Sequence, residues 1–110
     1  MYYVNFEANN KAYKLRLNTR ATVALEKALG TNPIGIFDVN GDSLPSVTSM
    51  VTVLHASLQQ YHHGISMNDA YDIFDDYIAD GHSIDEFVYI ILDIYRGSGI
   101  IPKEVDTEKN

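Results

Sequence analysis

Cysteine and tryptophan are absent from this chain of 110 residues, and only three prolines are present. Without cysteine, the chain can form neither a disulfide framework nor a thiolate site for zinc or iron–sulfur clusters. It also lacks an apolar run of the roughly 18–20 residues that span a bilayer, and its N-terminus lacks the regions of a signal peptide. We therefore expect one soluble, intracellular domain that is stabilised by side-chain packing alone.

Basic side chains are also few. Eight lysines and arginines stand against fifteen aspartates and glutamates, which gives a formal net charge of −7. Because phosphate neutralisation holds most proteins on nucleic acid, this balance disfavours a broad DNA- or RNA-binding face. The eight tyrosines, by contrast, are dense for this length. Tyrosine is enriched at protein interfaces, and a tyrosine-rich core is the alternative explanation.

Residues 2–17 predict a β-hairpin. Asn9 and Asn10 can adopt the positive φ angles of a two-residue turn, and the flanking residues alternate between apolar and polar. Closing the turn with Ala8 opposite Lys11 places these pairs on one face: Phe6 with Tyr13, Val4 with Leu15, and Tyr2 with Leu17. An isolated hairpin is marginal in water, so this face must pack on helices or on another chain.

Helices are predicted over about 20–29, 46–63, 67–80 and 84–96, from apolar residues at three- and four-residue spacings. Thr19 is the expected N-cap of the first helix, and Gly30 its stop. Capping boxes are predicted at the third and fourth helices, formed by Ser66 with Asp69 and by Ser83 with Glu86. Residues 31–45 read as a loop with a helical turn at 34–37.

The predicted fold class is α+β, mainly α, with an N-terminal two-stranded antiparallel hairpin packed on a bundle of about four helices. It forms a single domain over residues 1–101, followed by a flexible polar tail over 102–110. The third helix should bury Ala70, Tyr71, Phe74, Tyr77 and Ile78. Its outer face should carry Asp72, Asp75, Asp76 and Asp80.

The sequence does not indicate an enzyme. His55 and His62 stand seven residues apart rather than at metal-ligand spacing, and His62 and His63 are expected to cap helix carbonyls. Residues 38–42 resemble the start of a calcium loop, but the sixth position holds Ser43 rather than glycine and the twelfth holds Ser49 rather than glutamate, so a turn is expected. The aspartates of the third helix should stay solvated with ordinary pKa values. We therefore predict no catalytic residue, no cofactor and no metal ion.

The fourth helix is apolar nearly all round. Phe87, Ile90, Ile91 and Ile94 form one stripe, and Val88, Tyr89, Leu92 and Tyr95 form a second. A small bundle covers one side of a helix fully, so the second stripe is predicted to bind a protein partner. Tyr3, Asn5 and Arg16 on the outer face of the hairpin form another candidate surface. The alternative is that the hairpin covers the fourth helix and leaves nothing apolar exposed.

The order of elements resembles the tail assembly chaperones of long-tailed bacteriophages over roughly residues 6–99. The similarity rests on Leu15-Arg16-Leu17 leading into Thr19, on Ala24-Leu25-Glu26 with Leu29-Gly30, and on the helix entry Gly64-Ile65-Ser66-Met67-Asn68-Asp69-Ala70. This resemblance implies a non-enzymatic protein that keeps the tape measure protein soluble during tail assembly. It also implies residence in the cytoplasm of the bacterial host and absence from the mature virion.

The expected partners are the tape measure protein, the tail tube protein as a further candidate, and other copies of the chain in a homo-oligomer. Nucleic acid and membrane are not expected partners. Two alternatives remain open: a structural head–tail or tail component of the phage, and a small acidic regulator that binds another protein. Purified virions would distinguish the first alternative, because a chaperone should be missing from them.

Overall fold

A computed structural model describes residues 2–37 and 44–103 of the chain. The strands are Val4–Ala8 (β1) and Lys11–Leu15 (β2), and the helices are Thr19–Leu29 (α1), Val47–Leu58 (α2), Met67–Ala79 (α3) and Ile84–Ser98 (α4), with a 3₁₀ turn at Pro33–Ile36. The predicted class, α+β and mainly α with an antiparallel hairpin, is confirmed. The calcium-like segment 38–42 and positions 104–110 of the predicted tail lie outside the described residues.

The hairpin has the predicted register. Asn9 and Asn10 have φ angles of 53° and 62°, and the ladder pairs run from Ala8 with Lys11 to Val4 with Leu15. The predicted pair of Tyr2 with Leu17 does not form part of that ladder. The N–H of Leu17 instead donates to Ser98 Oγ at 2.9 Å, because the chain turns into the core there. The hairpin is therefore shorter than residues 2–17.

The predicted N-cap of α1 is wrong by one residue. The side-chain oxygen of Asn18, not of Thr19, accepts a hydrogen bond from the N–H of Ala21 at 2.8 Å. Thr19 is the first helical residue. The predicted stop is confirmed, since Gly30 has a φ of 74° and its N–H donates to Glu26 O.

Helix α2 ends at Leu58, five residues earlier than predicted. The side-chain amide of Gln59 donates from Nε2 to the carbonyl oxygens of His55 and Ile65, at 3.0 and 2.8 Å. These bonds link the end of the helix to the chain that follows it. His55 Nε2 also lies 3.1 Å from the Ile65 oxygen. The chain after Leu58 then turns towards β2, a non-local arrangement that helical periodicity does not reveal.

Both predicted capping boxes are present. In α3, Ser66 N–H donates to Asp69 Oδ2 and Asp69 N–H donates to Ser66 Oγ, each at 3.0 Å. In α4, Ser83 N–H donates to Glu86 Oε1 at 2.6 Å. The helix continues past the predicted residue 96 to Ser98 and stops at Gly99, whose φ is 81°.

The buried core has residues from the hairpin and from all four helices. Phe6 of β1 stands among Tyr77, Phe87 and Tyr13, with ring centroids 5.2, 5.9 and 6.3 Å away. The prediction that Tyr71 belongs to the buried stripe of α3 is wrong, because its side chain is half exposed. Ile73 takes that place. The apolar face of the hairpin therefore packs on helices of the same chain, α3 and α4, which is one of the two alternatives predicted from the sequence; the other was another chain.

Candidate protein-binding groove at the edge of β1

Helix α4 buries one residue that the sequence placed on its partner-binding stripe. Tyr95 is fully buried, and its hydroxyl donates to the carbonyl oxygen of Pro33 at 2.8 Å. Its ring also meets Phe37 edge-on at 6.3 Å. Burial raises the pKa of Tyr95 well above its ordinary value. Tyr95, predicted as a binding residue, is therefore not accessible to a partner in this structure, since the 3₁₀ turn covers that side of α4.

Tyr89 is the exposed residue of the predicted stripe. Its side chain is 71% exposed, the largest value among the exposed large apolar side chains of residues 2–37 and 44–103. Val88 and Leu92 are half-buried, and Val88 packs against the core. Only part of the predicted stripe is therefore open to a partner, and Tyr89 is its most exposed side chain.

An open groove of about 620 Å³ lies beside Tyr89. We call it the β1-edge groove, and it runs between the outer edge of β1, the end of α3 and the first turns of α4. Its lining residues are Asn5, Phe6, Glu7, Asn10, Tyr77, Asp80, His82, Glu86, Tyr89 and Ile90. The groove brings together two predicted site residues, Asn5 and Tyr89, from distant parts of the sequence.

The backbone along this edge of β1 is open. In a two-residue hairpin closed by Ala8 and Lys11, the N–H and C=O groups of Asn5 and Glu7 point away from β2. Among the described residues, the backbone N–H and C=O groups of Asn5 and Glu7 make no hydrogen bond to another element. At the turn that follows β1, Asn9 N–H donates to Asp80 Oδ2 at 2.8 Å.

The opposite edge of the hairpin is bonded to α2 and the segment after it at Lys14 and Arg16. Lys14 N–H donates to His62 Nε2 at 2.9 Å, and Arg16 N–H donates to the Ser57 oxygen at the same distance. The expectation that His62 caps the end of α2 is therefore wrong, since its ring accepts from β2. Burial and the nearby Lys14 charge lower the pKa of His62. The two edges of the hairpin thus differ: the far end of the β2 edge is bonded to another element, whereas Asn5 and Glu7 on the β1 edge have no such backbone bond among the described residues.

The other predicted residues of the hairpin surface lie away from the groove. Tyr3 packs on Tyr61 at 5.5 Å, and Lys14 Nζ lies 4.9 and 5.7 Å from these two rings. Arg16 Nη1 lies 3.4 Å from Gln60 Oε1. Tyr3 and Arg16 therefore attach the hairpin to the segment after α2, and the structure does not join them to Tyr89 in one surface.

The rim of the β1-edge groove is acidic. Glu7, Asp80 and Glu86 line it, and neither lysine nor arginine occurs among its lining residues. Hydrogen bonds from the backbone and hydroxyl of Ser83 lower the pKa of Glu86, so its carboxylate is charged at neutral pH. His82 stacks on Tyr77 with centroids 4.3 Å apart and lies 3.6 Å from Glu86.

The chain belongs to the family of unknown function DUF6096. The family model matches residues 6–109. A search of the curated proteins and a search of the solved structures each gave no significant match. The DUF6096 description assigns neither a partner nor an activity, so function has to be argued from the groove itself.

Sequence reasoning missed the acidic residues of the groove in this DUF6096 member. The sequence pattern places Asp80 on a solvated helix face and Glu86 in a capping box only. The available signal was local: residues 80–83 join α3 to α4, and Asp80, Asp85 and Glu86 concentrate carboxylates at this helix junction. Within the described ranges, no cluster of three or more His, Asp or Glu side chains is arranged for a metal ion. No described helix has the length and hydropathy to cross a membrane.

Proposed function

We propose that this chain is a non-enzymatic tail assembly chaperone of a long-tailed bacteriophage, which binds the tape measure protein through the β1-edge groove. The observation that carries the proposal is the exposure of Tyr89 beside an unpaired strand edge. An apolar ring and open backbone groups at one place are typical of a surface that binds another chain.

The charge distribution supports the same function. A tape measure protein is a long chain with apolar faces that are uncovered before assembly, so its holdase needs local apolar surface and a strongly charged exterior. Tyr89 and half-buried Ile90 offer the apolar surface in the groove. The net charge of −7 would keep the complex soluble. By the same resemblance we propose that the protein acts in the host cytoplasm, self-associates, and has the tail tube protein as a further partner.

Co-expression with the tape measure protein of the same phage tests the proposal. We expect the soluble fraction of the tape measure protein to rise several-fold with the wild-type chain and not with the Tyr89→Asp variant. Tyr71→Asp is the matched control, because Tyr71 is also about half exposed but lies outside the groove. Equal solubility of the tape measure protein with and without this chain would refute the chaperone function.

Virion composition distinguishes the structural alternative. A chaperone is released before the tail is complete, so we expect purified virions to lack this chain by mass spectrometry. Stoichiometric presence in the virion would instead assign the protein to the tail or the head–tail connection. Light scattering after size exclusion measures the self-association that the proposal includes, and a monomer at all concentrations would refute that part of it.

A further inference from the structure

We infer that the β1-edge groove binds an extended, basic segment of the client chain, which adds to β1 as a third strand. The inference rests on the proposed function and deepens it, because it names the conformation and the charge of the bound segment. It follows from the open backbone of β1, the side chains on either side of it, and the sign of the charge around it.

The backbone of β1 determines the conformation of the bound segment. Asn5 and Glu7 each present one N–H and one C=O towards the groove, two residues apart along an extended strand. An extended peptide repeats its own N–H and C=O groups with the same period, so it can pair with both residues. A helix has no free backbone groups in its middle and would leave this edge unpaired.

The walls of the groove determine which side chains fit. Side chains of an added strand alternate between the two faces of the sheet. On the face that packs against α4, they would meet Tyr89 and Ile90, which favours apolar residues. On the opposite face, the residue across from Glu7 would be lysine or arginine, because opposite charges on paired strands attract. Asp80 adds a further negative charge at the turn end of β1.

The charge also argues against a second copy of this chain as the occupant. Pairing β1 with β1 of another copy would bring together two rims that each carry Glu7, Asp80 and Glu86. Each copy has a net charge of −7, and like charges at a desolvated interface are unfavourable. A basic segment of another chain has the complementary charge.

A designed peptide tests the inference without the tape measure protein. The probe is fluorescein-labelled Gly-Lys-Val-Lys-Ile-Lys-Val-Gly, which alternates lysine with β-branched residues, and its binding to the full chain is followed by fluorescence anisotropy. Two control peptides each change one property of the probe, either its backbone N–H donors or the sign of its charge. One has every backbone amide N-methylated and so lacks N–H donors, and the other has glutamate in place of each lysine. We expect each control to bind at least about tenfold more weakly.

Two proline variants separate the edges of the hairpin. The N–H of Asn5 points into the groove, and the N–H of Ala12 points away from the hairpin on the β2 side. Neither N–H belongs to the ladder, so proline is tolerated at both positions as it is on edge strands. We expect Asn5→Pro to weaken peptide binding about fivefold or more, and Ala12→Pro to leave it unchanged.

A charge pair of variants covers the case in which a proline variant does not fold. Glu7→Lys should weaken binding of the basic peptide about tenfold, whereas Glu26→Lys, an exposed position on α1, should have little effect. Binding should also weaken as salt concentration rises. Equal binding of the N-methylated peptide would overturn strand addition, as would unchanged binding to Glu7→Lys or a probe that does not bind.

The outcomes separate this inference from the proposed function. If the chain solubilises the tape measure protein but does not bind the basic peptide, the chaperone function stands and the strand-addition inference is refuted. If it binds the peptide with the expected selectivity but does not solubilise the tape measure protein, the inference stands and the client is another protein. A dimer that dissociates on Glu7→Lys substitution would assign the groove to a second copy and refute the inference.

Discussion

The hydrogen bond between Tyr95 and Pro33 offers the sharpest test of the core. Tyr95→Phe removes one hydroxyl and retains the ring, so the substitution isolates the bond from the rest of the side-chain contacts. The two residues lie 62 positions apart, and Tyr95 is fully buried. The bond therefore joins α4 to the 3₁₀ turn, and its loss leaves the Pro33 carbonyl without this donor.

The expected magnitude follows from the burial. A typical hydrogen bond contributes about 0.5–1.5 kcal/mol net, and a buried acceptor left without a partner costs about 1–3 kcal/mol. We expect Tyr95→Phe to lower the free energy of unfolding by about 1–2 kcal/mol. The melting temperature of a 110-residue domain should fall by about 4 °C per kcal/mol.

Urea denaturation of the wild type and two variants measures this effect. Tyr89→Phe is the matched control: it removes the same hydroxyl from a 71% exposed side chain, and we expect a change within about 0.5 kcal/mol. Tyr95→Phe should also leave partner binding intact, because Tyr95 does not line the groove. Equal stability of Tyr95→Phe and Tyr89→Phe would refute the argument that the buried hydroxyl stabilises the fold.

Two further predictions concern groups whose roles differ from those expected from the sequence. Asn18→Ala should destabilise the protein by about 1 kcal/mol, because it removes the N-cap bond to Ala21, while Thr19→Ala should change stability much less; thermal melts of both variants test this pair. The pKa of His62 is lowered in the folded state, which therefore favours the neutral ring. The contribution of this ring to the free energy of unfolding is complete above the ordinary pKa of 6.5 and is lost as the pH falls from 6.5 towards the folded-state pKa. Urea denaturation at about pH 7.5 and about pH 5.5 should show a larger loss of stability for the wild type than for His62→Gln, and equal losses would contradict the role of the bond to Lys14.

The features that the sequence predicted correctly depend on neighbouring residues. The hairpin register follows from the turn at Asn9 and Asn10 and from the alternation on both sides of it, which act over a few residues. The capping boxes at Ser66 and Ser83 are likewise formed within one helical turn. Even the error at the start of α1 is small: the sequence predicts Thr19 as the N-cap, and the structure has Asn18, the residue before it.

The tertiary structure alone decided which apolar surfaces are covered. Helix α4 has apolar residues around most of its circumference, so periodicity could not tell that Tyr95 would be buried and Tyr89 exposed. That outcome depends on the 3₁₀ turn, which packs on α4 from more than 60 residues away in the chain. The early end of α2 has the same origin, because the segment after Leu58 covers the edge of β2.

The β1-edge groove shows the same division between local and non-local information. The sequence by itself determined that β1 pairs with β2 through Phe6 and that Asn5 and Glu7 face away from the core, because a strand repeats every two residues. Which edge is bonded to another element was decided only in three dimensions, where His62 accepts from Lys14, Ser57 accepts from Arg16, and the outward groups of β1 stay open. Hydrogen bonds between distant segments have no sequence period, and for that reason the site had to be found in the folded chain.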